Sequence, residues 1–135
     1  MDVTNEIKAE GKSFDFLPES EIKTNELNLF SFNSPNQLMI TETKEFSAVC
    51  PFSGLPDIAY LKVEYYPTNN YCIELKSFKY YMNSFRHVGI YQEGATKRIY
   101  DDVKKVLSSD RVKVTTIYNT RGGFDTTCIE VSKNF

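Results

Sequence analysis

The chain reads as an α+β protein, a two-layer sandwich in which an antiparallel four-stranded sheet carries two helices on one face. Three observations predict it. Alternating apolar and polar residues mark extended segments near residues 38–49, 58–66, 112–116 and 124–131. Between the second and third of these lie two stretches with helical spacing, 77–86 and 96–107. The order strand, strand, helix, helix, strand, strand then puts both helices in one connection, and so on one face of the sheet.

Each element has its own signal. Residues 1–36 are rich in Glu, Lys, Asn and Ser and close on the turn Asn33-Ser34-Pro35-Asn36, which makes them an N-terminal arm ahead of a domain spanning 37–135. The arm's Phe14, Phe16, Leu17, Leu27, Leu29 and Phe30 are too many for a solvated tail, so it should pack on the core or on a neighbouring subunit, with partial disorder the alternative for residues 1–12. The first strand runs from Leu38-Met39-Ile40-Thr41 into Phe46-Ser47-Ala48-Val49, and Pro67-Thr68-Asn69-Asn70 separates the second from a short extended piece at 71–74. Phe78, Tyr81, Met82 and Phe85 form one face of the first helix; Ile99, Val103, Val106 and Leu107 form one face of the second. Ser108-Ser109-Asp110 stops that helix, and Asn119-Thr120-Arg121-Gly122-Gly123 turns the last two strands into a hairpin. A small sheet whose second face still carries apolar residues tends to close by association, so a ring or barrel of several subunits is expected, with ligands between them.

Composition bounds the function. The 135 residues include 16 basic and 18 acidic side chains, a net charge of -2 that is too even for a nucleic-acid or anionic-membrane surface. Three scattered cysteines and one histidine, His87, encode neither a zinc site nor a disulfide framework, so no metal is expected and reduced thiols in a cytoplasm fit best. No apolar run approaches a membrane span, and the acidic start Met1-Asp2-Val3-Thr4-Asn5-Glu6 does not read as a signal peptide.

The chemistry centres on Ser47-Ala48-Val49-Cys50-Pro51-Phe52-Ser53-Gly54-Leu55-Pro56-Asp57. If the Pro/Gly turn folds back, Asp57 stands near the Cys50 sulfur, and a nucleophile with a proton donor suits covalent chemistry at an electrophilic carbon. An unpaired cysteine is more often a small buried hydrophobe, and these residues alone leave both readings open. Lys76 and Lys79, three apart at a helix entrance, suit a phosphate assisted by free helix N–H groups, or are simply solvated. Arg121-Gly122-Gly123 suits an anion nest or an ordinary hairpin loop. Glu93 suits the paired N–H edge of a guanine or pterin, or the first-turn dipole of a helix. No dinucleotide fingerprint or P-loop occurs.

Taken together these segments resemble one family, the NADPH-dependent 7-cyano-7-deazaguanine reductases, nitrile reductases of queuosine biosynthesis within the tunnelling-fold (T-fold) superfamily. The resemblance rests on Glu74-Leu75-Lys76-Ser77-Phe78-Lys79-Tyr80-Tyr81, on Cys50-Pro51-Phe52-Ser53-Gly54-Leu55-Pro56-Asp57, on Ser84-Phe85-Arg86 and on Arg121-Gly122-Gly123, and covers about residues 37–132. It implies that Cys50 adds to a nitrile to give a covalent thioimide while Asp57 delivers the proton. It implies that Ile73, Glu74, Leu75, Gln92 and Glu93 hold the 7-deazapurine, and that Lys76, Lys79, Arg121 and Gly122 meet NADPH. It also implies a homo-oligomer with sites between subunits. The family carries His where this chain has Gln92, which can hydrogen-bond but cannot carry a proton. The alternatives are a pterin- or purine-binding tunnelling-fold protein, either cyclohydrolase-like or non-catalytic. The hydrolase would want a metal-activated water and ligands that one histidine and three scattered cysteines do not supply.

Overall fold

The computed structural model describes residues 11–135; of the anticipated arm, residues 1–10 lie outside the described residues. Four strands, β2 (Met39–Val49), β3 (Pro56–Tyr65), β5 (Val112–Tyr118) and β6 (Thr127–Val131), form an antiparallel sheet in the order β2-β3-β5-β6. The helices α1 (Leu75–Asn83) and α2 (Gln92–Leu107) fall between β3 and β5 in the chain, as the α+β reading requires. A separate two-stranded ribbon pairs β1 (Leu29–Ser31) with β4 (Tyr71–Ile73). Sequence reading missed β1, because Leu29-Phe30-Ser31 is too short to show a period and is extended only through its partner.

Strand alternation decides which face is buried. On β3, Ala59, Leu61, Val63 and Tyr65 point inward and are almost wholly buried, while Ile58, Tyr60 and Lys62 face out. Val112 and Val114 of β5 complete the inner face, on which α2 lays Ile99, Val103 and Leu107. Phe46 meets Phe85 edge-on at 5.3 Å between ring centroids, and Tyr81 meets Phe85 at the same separation. In β2, Thr43 faces Leu61 and Phe46 faces Ala59, so Lys44 and Glu45 form a bulge that keeps both halves of the strand in phase with the core.

The N-terminal segment is knitted to this core. Its Ile22 and Leu27 are buried, and Thr24 donates to Asp102, which also accepts from Tyr81 (2.7 Å) and Arg98 (2.9 Å). A buried carboxylate with one charged and two neutral donors is well satisfied, so this cluster ties the segment to both helices.

Helix starts differ from expectation. Glu74 caps α1, its carboxylate accepting from the backbone N–H of Lys76 (3.1 Å) and Ser77 (2.6 Å). The helix therefore begins at Leu75 rather than Ser77, and its amides are not free for a phosphate. Helix α2 begins at Gln92 rather than Thr96, which brings Gln92 and Glu93 into its first turn.

Candidate functional site

The loop between β2 and β3 is a tight fold-back. The N–H of Cys50 donates to Leu55 O (2.9 Å) and the N–H of Gly54 donates to Cys50 O (2.6 Å). Gly54 has a φ of 74°, the left-handed conformation that only glycine takes without strain, and this reverses the chain within the loop. Val49 is paired with Pro56 and Ala48 with Asp57, so Asp57 is the second residue of β3, directly beyond the loop that carries the thiol. The Pro/Gly turn expected from the sequence is present, and it folds the chain back between Cys50 and Asp57.

Two further segments close on the loop. Val49 donates to Val88 O (3.0 Å) and accepts from Ile90 N–H (3.1 Å), so the connection between the helices is stitched to the end of β2. That stitch sets the start of α2 beside Asp57, where the Gln92 side chain faces the carboxyl and favours its ionised form. From the other side comes the hairpin after β5, where Arg121 Nη1 donates to Asp57 Oδ1 at 2.6 Å. A cavity of about 240 Å³ lies here, lined by Leu55, Pro56, Asp57, Ile58, Tyr118, Asn119, Thr120 and Arg121. A broader open hollow of about 720 Å³, between Asp101 and Asp110 at the far end of α2, holds no thiol and lies away from this chemistry.

The electrostatics split the two reactive groups. Burial pushes the Cys50 thiol up, but the Arg121 guanidinium, the N–H groups of Phe52 and Ser53 and the Ser53 hydroxyl outweigh it and leave the thiol below its ordinary value. Asp57 moves the other way: burial lifts it above the ordinary carboxylate range, and Arg121 and Gln92 recover only part of the shift. A thiol inclined to ionise thus stands with a carboxyl inclined to hold a proton, the combination that acid-assisted nucleophilic addition needs.

One protomer brings together Cys50, Asp57, Gln92 and Arg121, with Gly122 at the hairpin tip and the exposed Glu93 one residue into α2. It does not bring Ile73, Glu74, Leu75, Lys76 and Lys79 to them. Ile73 N–H donates to the Tyr65 hydroxyl (3.0 Å), and Tyr65 ends β3 while Asp57 lies next to its first residue. Eight residues of strand span roughly 26 Å at about 3.3 Å each, so the entrance to α1 lies at the opposite end of the sheet. Lys79 pairs with Glu45 of the bulge at 2.8 Å, and Lys76 rides 6.0 Å above the Tyr80 ring. The lone His87 is exposed, its carbonyl accepting from Leu17 N–H (2.7 Å).

Sequence reasoning missed Ser53, whose hydroxyl and N–H both help to lower the Cys50 thiol. The signal was present, since Ser-Gly behind a thiol in a tight turn is a ready source of donors. It also assigned Arg121 to an anion outside the protein, whereas its first partner is Asp57, 64 residues away in the chain.

A family profile described as QueF-like protein matches residues 56–134. The chain is 57% identical over 120 residues to the NADPH-dependent 7-cyano-7-deazaguanine reductase of Thermotoga petrophila, covering 89% of this chain and 88% of that one. It is 40% identical over 121 residues to the enzyme of the same name from Caldicellulosiruptor bescii, covering 88% and 92%. Among solved structures, the apo form of the archaeosine synthase QueF-Like superposes with a TM-score of 0.67 at 27% identity, covering 74% of this chain and 96% of that chain.

Proposed function

Because the chain belongs to the QueF-like family, we propose that it is an NADPH-dependent oxidoreductase that reduces the nitrile of 7-cyano-7-deazaguanine to an aminomethyl group, in queuosine biosynthesis and in the cytoplasm. The observation that carries the chemistry is the fold-back loop that joins Cys50 to Asp57, with Arg121 paired to Asp57 at 2.6 Å; the opposed directions in which the thiol and the carboxyl are moved support it. In the proposed first step Asp57 accepts the thiol proton, Cys50 Sγ bonds to the nitrile carbon, and Asp57 returns the proton to the nitrogen, giving a thioimide. Bound NADPH supplies hydride, one per reductive step and two per turnover. After the first reduction Cys50 leaves as thiolate, an imine remains, and its reduction gives the amine; two further protons balance the sum. Gln92 orients Asp57 by a hydrogen bond but carries no proton.

The donor chemistry suits the cofactor's phosphates at Lys76 and Lys79, whose ammonium groups lie on one exposed side of α1; Lys79 would exchange its surface partner Glu45 for an anion. Arg121 and Gly122 stand at the mouth of the thiol site. The α1 amides are unsuited, being held by Glu74. Substrate recognition falls in this reading to Glu93, with Gln92, and to Glu74 with the backbone of Ile73 and Leu75.

These two groups of residues lie at opposite ends of one sheet, which supports a site completed by a second copy of the chain. The outer sheet face supports association as well, since Ile58, Ile117 and Ile129 remain 46%, 43% and 55% exposed in the single chain. The strand edges of β2 and β6 are open to pairing in a barrel.

The experiment is direct. The protein is incubated with 7-cyano-7-deazaguanine without NADPH and its intact mass recorded. An added mass equal to the nitrile, absent in Cys50→Ala, is expected. No adduct, together with no NADPH oxidation on adding cofactor, overturns the reading.

A further inference from the structure

We infer that Arg121 is a positioning residue that makes Cys50 and Asp57 a pair carrying one negative charge between them, serving as counter-ion to whichever member is ionised. The inference deepens the reductase reading and rests on it for the use of the shared proton, while the pair itself belongs to the free chain.

The geometry is a cation delivered from outside into a shut site. The Arg121 side chain is 49% exposed, whereas that of Asp57 is 8% exposed, and they meet at 2.6 Å. The same guanidinium faces the Cys50 thiol closely enough to favour its ionised form. Its planar fork of donors can serve a carboxylate and a thiolate together, which a lysine ammonium does with less directional control. The hairpin that carries it is closed by reciprocal bonds, Arg121 N–H to Phe124 O and Phe124 N–H to Arg121 O, both 2.9 Å.

No other cation contests the role among the described residues that face the pair. Gln92 from α2 faces Asp57 but is neutral. Tyr118 from β5 is held protonated, first by its own burial and then by the neighbouring Cys128, Asp57 and Glu93. Glu93 on α2 is exposed. Arg86 and His87, with Asp15 of the N-terminal segment, line a separate cavity beside residues 54–58.

The charge then stays constant through the addition. The S–H bond breaks, its proton passes to the Asp57 carboxylate, and the negative charge moves from oxygen to sulfur. As the Sγ–C bond forms, the nitrile π electrons move to nitrogen, nitrogen takes the Asp57 proton, and the charge returns to the carboxylate. Arg121 faces one net negative charge in the Cys50–Asp57 pair before and after each transfer, so no unpaired charge is created in the buried site.

The test uses the free chain, with neither NADPH nor nitrile present. Alkylation of Cys50 by iodoacetamide is followed by peptide mass across pH for the wild type, Arg121→Ala, Arg121→Lys and Asp57→Asn, with thermal unfolding recorded for each. Arg121→Ala should move the alkylation midpoint upward, cutting the rate at neutral pH by about tenfold for each unit moved. Arg121→Lys should restore part of it. Asp57→Asn, which leaves the guanidinium wholly to sulfur, should move the midpoint downward. An unchanged profile in a folded Arg121→Ala protein overturns the inference and leaves Arg121 a cofactor contact alone, a role seen as a higher KM for NADPH. Failure of the reductase reading is separate, because it appears as no nitrile adduct while the alkylation profile still responds to Arg121.

Discussion

The carbonyl oxygen of Phe14 lies 2.2 Å from where a β-carbon on Gly54 would stand, and Phe14 N–H donates to Ser53 O at 2.9 Å. The N-terminal segment thus lies across the thiol loop at the one residue that needs a left-handed backbone. Gly54→Ala meets both a conformational and a steric penalty, with backbone on each side of the clash. It should lose about 1 to 3 kcal/mol of stability and slow Cys50 adduct formation more than proportionally to any unfolding. Urea titration with adduct kinetics under folding conditions checks this.

Glu74 has two candidate duties, and they separate by substitution. As the cap of α1 it holds two backbone N–H groups, so Glu74→Ala should lower stability by about 1 kcal/mol. Glu74→Gln keeps an acceptor oxygen and should lower stability less. If the carboxylate also receives the deazaguanine edge, Glu74→Gln raises KM for the nitrile while moving the unfolding midpoint little. Steady-state kinetics beside a melting curve reads the two apart.

Glu93 is exposed in the first turn of α2 and has no ion pair in the described structure. Glu93→Gln should weaken substrate binding by about 2 to 3 kcal/mol through loss of charged hydrogen bonds. Equilibrium binding to a Cys50→Ala background measures it without turnover. Unchanged affinity would return Glu93 to the role of a helix-dipole residue.

Asp57 gives a pH signature in stability. Burial first, with Arg121 and Gln92 opposing, holds its folded titration above the ordinary carboxylate value of 3.8. Between the two values the folded state binds the proton more tightly than the unfolded state. The contribution is therefore full below the ordinary value and is lost as pH rises through the folded one. Wild-type stability relative to Asp57→Asn should decline across that window, and denaturant midpoints taken at stepped pH will show whether it does.

Ile117 sits on the outer sheet face opposite Tyr60 and Thr127, 43% exposed. If that face is covered by further copies, Ile117→Lys should shift the protein to smaller species without unfolding the protomer, since nothing in the inner core is touched. Light scattering with circular dichroism tests it. A wild-type monomer at working concentrations would sink the shared-site proposal.

The elements of the fold were legible because local rules write them into the chain. Period-two runs marked β2, β3, most of β5 and the whole of β6, the last begun too early at 124, and the Phe78-Tyr81-Met82-Phe85 face marked α1. Helix starts were less legible, since Glu74 caps through a side chain of a type seldom used there, and Gln92 enters α2 behind Tyr91, which makes no side-chain cap bond. The short strand β1 was invisible for want of length. At the site, Cys50 and Asp57 were legible as a pair because seven residues and a Pro/Gly turn join them.

The sequence by itself determined the α+β layering, the pairing of Cys50 with Asp57 as candidate nucleophile and candidate proton donor, and the segments that resemble a reductase family. All of these depend on spacings within short segments and on the order of those segments along the chain. Only the tertiary structure decided which cation serves that pair, because Arg121 reaches Asp57 from the far hairpin through the registers of β3 with β5 and β5 with β6. It also decided that Glu74 and Lys76 stand at the opposite end of the sheet from Cys50, a separation set by the length of β3. Charge and burial act through space, so the thiol's lowered titration arises from neighbours that the linear order keeps apart.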